Sequence, residues 1–146
     1  MKNVCFVLLS AALLLIACGK NAEQEAFDAL PDYPYPNVYT SLGLPVYPES
    51  KQILDFSDRD PQLKDGVVLK IVTFDEKETI NDFWAKELKA QGWGRRIIRV
   101  GSKVEPADNT ANNSTYAKDR MNCAIAISER TDGLSEMRVT VSEADY

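Results

Sequence analysis

Histidine is missing from all 146 residues, and cysteine, methionine and tryptophan are scarce at 3, 3 and 2 copies. Without an imidazole the chain cannot assemble a Ser-His-Asp or Cys-His nucleophile system, a histidine metal cage or a pH switch near neutrality. Basic residues are outnumbered, 17 against 22 acidic ones, for a net charge of −5. That balance gives no support for nucleic-acid binding or for a polybasic hold on anionic lipid. The apolar run over residues 4–17 is short of the roughly 20 residues that cross a bilayer as a helix. What is present suits one folded domain: 45% of the residues are hydrophobic and 27% charged.

The start of the chain carries the most specific signal. Met1-Lys2-Asn3 is a short basic opening, the apolar run follows, and Leu15-Ile16-Ala17-Cys18 sets small residues and a cysteine where a signal peptide is cut. This tetrad resembles the bacterial lipobox, so the chain is identified as similar to lipoprotein precursors. The resemblance implies a signal peptide over residues 1–17, with Leu15, Ile16 and Ala17 forming the cleavage motif, and covalent lipid on Cys18 as the anchor. Gly19 stands where an Asp would retain such a protein at the inner membrane, which implies the periplasmic face of the outer membrane. Acyl chains on sulfur and on the new amino group exceed the two signals that stable anchoring needs.

Removal of residues 1–17 takes Lys2 and Cys5 with it, leaving 16 basic against 22 acidic side chains, a balance of −6. With Cys18 lipidated, Cys123 has no cysteine to pair with; within Cys-Ala-Ile-Ala-Ile it reads as a small buried residue. Residues 18–41 read as a tether: polar and acidic at first, then Pro31-Asp32-Tyr33-Pro34-Tyr35-Pro36-Asn37-Val38-Tyr39, whose prolines predict an extended, semi-rigid course. Tyr33, Tyr35 and Tyr39 on it either dock a partner or lie along their own domain.

The globular domain is expected over residues 42–146. Strands are predicted over 51–56 and 67–74, joined through the turn signals Asp60-Pro61 and Asp65-Gly66. A helix follows, with Asp75 as its cap, Glu78 at capping-box spacing, Ile80, Phe83, Trp84 and Leu88 in one apolar stripe, and Gly92 as the stop. A third strand is predicted over 93–100, a polar loop over 101–115, and a closing hairpin over 122–129 and 137–142 about Thr131-Asp132-Gly133. Arg95, Arg96 and Arg99 alternate with apolar residues in a way that leaves the buried face of the third strand open. The order β-β-α-β-β-β predicts an α+β fold, a single antiparallel sheet of about five strands with one helix on one face.

Chemical constellations are few. Asp55, Asp58, Asp60 and Asp65 crowd one loop, but Gln62 and Leu63 stand where a calcium loop opened at Asp58 needs an oxygen ligand and a glycine. No cofactor other than the lipid is expected, and no catalytic set stands out among the acids. Arg95, Arg96, Arg99 and Lys103 concentrate positive charge in an acidic body and meet either its own carboxylates or an acidic partner. Leu44-Pro45-Val46-Tyr47-Pro48 ahead of a strand, with Phe83-Trp84, Leu88 and Gly92-Trp93 on a single helix, resembles the helix-on-sheet domains of the C subunit of the β-barrel assembly machinery. That family has two such domains where this chain has one. The expectation is a non-enzymatic, membrane-anchored envelope lipoprotein that binds a protein partner through Tyr33, Tyr35, Tyr39, Arg95, Arg96 and Arg99. Two alternatives are a periplasmic immunity lipoprotein, which would meet a toxin with the acidic loop 55–65, and a carrier of a small ligand or lipid in a cavity between helix and sheet.

Overall fold

The computed structural model describes residues 22–59, 61–100, 103–106 and 112–144, with backbone alone for 65, 97–100 and 103–106. Cys18 and the cleavage motif Leu15, Ile16 and Ala17 lie outside the described residues. The architecture is α+β: a six-stranded antiparallel sheet with one main helix. In chain order the elements are α1 (residues 22–28), α2 (Asn37–Ser41), β1 (Ser50–Gln52), β2 (Val67–Thr73), α3 (Lys77–Ala90), β3 (Gly94–Arg95), β4 (Ile97–Val100), β5 (Lys103–Pro106), β6 (Asn113–Lys118), β7 (Met121–Glu129) and β8 (Ser135–Glu143). The sheet runs β1-β2-β8-β7-β6-β3, and β4 pairs with β5 as a separate hairpin.

Alternation of side chains across the pleat builds the core. Val67, Leu69 and Ile71 of β2 stand opposite Val141, Val139 and Met137 of β8, which in turn face Cys123, Ile125 and Ile127 of β7. All nine are buried on one face. Helix α3 lays Ile80, Trp84 and Leu88 onto that face, and the Trp84 indole N–H points to the Met137 sulfur at 3.3 Å. Each helical residue that the 3.6-residue period assigns to the core, apart from the half-buried Phe83, is fully enclosed.

The end of α3 follows its sequence signal. Gly92 takes φ +83°, its N–H bonds the Lys89 carbonyl at 3.0 Å, and the Trp93 N–H bonds the Leu88 carbonyl at 2.9 Å. This is the Schellman arrangement that a glycine beyond the last turn permits. The start differs from expectation. The cap position is Glu76, without a side-chain bond to the helix, and Asp75 instead accepts a 2.7 Å hydrogen bond from the Tyr47 hydroxyl. A buried phenol near a carboxylate outcompetes the local cap because its O–H has to be satisfied inside the fold.

Three strand expectations are corrected. The strand predicted over 51–56 ends at Gln52, with one more backbone bond from the Ile53 N–H to the Lys70 carbonyl at 2.9 Å; the Gln52 side-chain amide then donates to the Leu54 carbonyl and accepts from the Leu54 N–H, each at 2.6 Å, a local loop in place of longer pairing. The strand predicted over 93–100 divides at Arg96, its first part joining β6 and its second pairing with β5. The loop predicted over 101–115 contains β5 and the beginning of β6. Ser114, Thr115 and Asn113 are strand residues because β7 supplies a partner across their whole length.

Candidate functional site

The proline-tyrosine segment does not stand free of the body. The Tyr33 N–H donates to the Gln52 carbonyl at 2.8 Å, laying the segment along β1, an edge strand. Pro34 and Pro36, lacking N–H groups, then leave this edge with little to offer a further strand. After Pro36 the chain turns through α2 and delivers Tyr39 into the core. Tyr39 is fully buried, its hydroxyl donates to the Pro45 carbonyl at 2.6 Å, and its ring lies 5.3 Å from that of Tyr35. Tyr39, expected as a contact residue, is therefore a core residue, inaccessible to any partner. The tether expected over residues 18–41 is likewise not free over its described part, because α1 packs on Phe74 and Lys51 and the chain from residue 31 onward packs along β1 and into the core. The Tyr35 hydroxyl is enclosed beside the Ser50 hydroxyl and the Tyr47 backbone, without a well-aligned bond to either.

This packing leaves an open groove of about 540 Å³ between the proline-tyrosine segment and the loop after β1. Its walls are Tyr33, Pro34 and Pro36 on one side and Asp55, Phe56 and Arg59 on the other. Phe56 and Tyr35 pack inward against the core, while Asp55, Asp58 and Arg59 are exposed on the rim. Both the backbone N–H and the hydroxyl of Ser57 donate to Asp55, holding its carboxyl below the usual carboxylate range. The groove has an apolar floor with charges of both signs on its rim, and its one hydroxyl–carboxylate pair, Ser57 and Asp55, lies on the exposed rim.

The predicted arginines lie elsewhere. Arg95 belongs to β3 and Arg96 follows it, with its N–H bonded to the Thr115 carbonyl, so both lie at the sheet edge opposite β1. Pairing of Arg95 with Tyr116 puts Trp93 and Arg95 on the helix-covered side and Arg96 on the other. Trp93 is buried, whereas Arg95 and Arg96 are exposed. The Arg99 side chain lies outside the described residues. Of the six predicted contact residues, only Tyr33 and Tyr35 come together in the groove. Phe56 and Arg59 were not singled out from sequence; the only hint was the acidic loop in which they sit.

Buried acids of weak strength give the fold a pH dependence. Burial pushes the Cys123 thiol from its ordinary 9.0 up to about 12 and raises Tyr39, Tyr47 and Tyr35 above 10.0. Above pH 9 the unfolded chain releases protons that the folded chain retains, so the unfolded state binds fewer protons and stability falls as pH rises. Thermal melts from pH 7 to 10.5 should show Tm constant at first and dropping above about pH 9. A Tm that holds to pH 10.5 contradicts this account.

No group of three or more histidine, cysteine or acidic side chains is placed to hold a metal ion among the described residues, and no helix there is long and apolar enough to cross a membrane. Comparison with protein-family models, with curated proteins and with solved structures gives no match to this chain.

Proposed function

We propose that the protein is a lipid-anchored, non-enzymatic binding domain of the bacterial cell envelope, held at the periplasmic face of the outer membrane and taking a polypeptide segment of a partner in the groove at Tyr33, Tyr35 and Arg59. The observation that carries the reading is the Leu15-Ile16-Ala17-Cys18 tetrad closing a 4–17 apolar run too short to span a bilayer. The groove supports the binding part, because its floor is apolar and its rim charged. Confinement to one surface raises the effective concentration of a modest binding site, so a shallow groove suffices.

Metabolic labelling with radioactive palmitate tests the anchor. The native chain should take up label and sediment with membranes, while Cys18→Ala should lose both label and cleavage; unchanged labelling of the variant removes the lipoprotein reading. Affinity purification from detergent-solubilised envelopes then tests binding. Recovery of an envelope protein should fall in Tyr33→Ala and Arg59→Glu chains that melt like the native one. Recovery of a secreted toxin in place of a resident protein would make the protein an immunity lipoprotein.

A further inference from the structure

We infer that the anchored domain keeps its β7–β8 turn (residues 130–134) and Phe74 at the bilayer, with the opposite end of the sheet free to stand away from it, and does not swing on a long tether. The inference rests on the proposed lipidation of Cys18. Only residues 19–21 separate Cys18 from residue 22 at the described start of α1. Four extended Cα steps reach at most about 14 Å whatever conformation they take.

Helix α1 is in turn fixed to the body at three places. Phe27 stacks on Phe74 with ring centroids 4.6 Å apart. The Lys51 ammonium lies 5.1 Å from the Phe27 ring and donates to the carbonyls of Asp28 and Leu30 at 3.1 and 2.9 Å. The Glu23 carboxylate lies over the turn, 2.9 Å from where a Cβ on Gly133 would stand. Val72 and Leu134, both fully buried outside the main core cluster, belong to this same end.

The leash therefore emerges beside the β7–β8 turn. The other end of β7, at the turn of residues 119 and 120, is nine residues away, about 30 Å along the strand. A 14 Å leash rooted at one end keeps that end close to the membrane at every tilt of the body, whereas the opposite end is free to stand up to about 30 Å farther off while α1 stays docked. Attraction to headgroups does not set this orientation, because Glu23, Asp75, Glu76, Glu78 and Glu129 gather at the lipid-facing end. The partner surface is the lipid bilayer itself, and the orientation persists where the lipid is zwitterionic.

Resonance energy transfer tests this on the full lipidated chain in phosphatidylcholine vesicles that carry an acceptor dye on a minor lipid. A donor dye goes on one introduced thiol, Thr131→Cys or Arg120→Cys; Cys123 is buried and escapes labelling. With the 120 end free to stand up to about 30 Å farther off, transfer should be roughly twofold higher from position 131 than from 120. Adding Phe27→Ala with Phe74→Ala to release α1 should make the two positions converge, in chains shown by circular dichroism to remain folded. Vesicle flotation with equal transfer in the native background, or higher transfer from 120, overturns the orientation alone. Failure to float overturns the anchor reading and this inference together.

Discussion

Replacing Trp84 by Ala is expected to remove about 3–5 kcal/mol of stability, a large share of the roughly 5–15 kcal/mol that holds a domain folded. The indole sits fully buried at the middle of the α3 stripe. It meets Phe83 edge-on at 5.4 Å and Tyr47 at 6.3 Å, and its N–H is aimed at Met137 in the strand β8 beneath. Truncation leaves a void beneath a helix whose only apolar face points into it, and the sheet cannot close the gap because its strands are tied on both sides by register. Trp84→Phe keeps most of the volume and should cost much less. Urea unfolding followed by circular dichroism measures both changes. A Trp84→Ala loss below about 1 kcal/mol would mean that α3 is not fastened through this residue.

The helix was legible because its signals are local: a 3.6-residue stripe and a glycine that can hold φ +83°. Its capping was not, because the rival for Asp75 is Tyr47, 28 residues earlier. The closing hairpin declared itself through Met137, Val139 and Val141 alternating with polar residues. Strand β6, with Asn113, Ser114 and Thr115, reads as loop until β7 is known to lie beside it, since strand pairing is decided by the neighbour as much as by propensity. The groove was less legible still. It depends on one backbone bond from Tyr33 to Gln52, made by residues 19 apart in the chain, and on a loop whose only visible feature was its acids. Proline density announced an extended course over residues 31–39, which holds through Pro36 but gives way to helix α2 at Asn37, and composition contains nothing that says whether an extended segment is free or laid along an edge.

Tyr39 decides that last question experimentally. If residues 31–41 belong to the folded body, Tyr39→Ala should destabilise it by about 3–5 kcal/mol, comparable with loss of any large core aromatic. The ring is fully enclosed and packs on Tyr35, and its neighbours in the core include Cys123 of the central strand β7. Tyr39→Phe separates packing from hydrogen bonding: it keeps the ring and removes only the bond to Pro45, leaving that carbonyl without its donor at a cost of about 1–3 kcal/mol. Loss of the phenol also withdraws one of the groups that retain a proton on folding, so Tyr39→Phe should flatten the fall in stability above pH 10 relative to the native chain. A free tether predicts the contrary on every count, with both variants melting like the native protein at neutral pH and with the same alkaline slope. Measured together by urea unfolding at pH 7 and at pH 10.5, the two substitutions establish whether the segment that leads from the membrane anchor is slack or is the first wall of the domain.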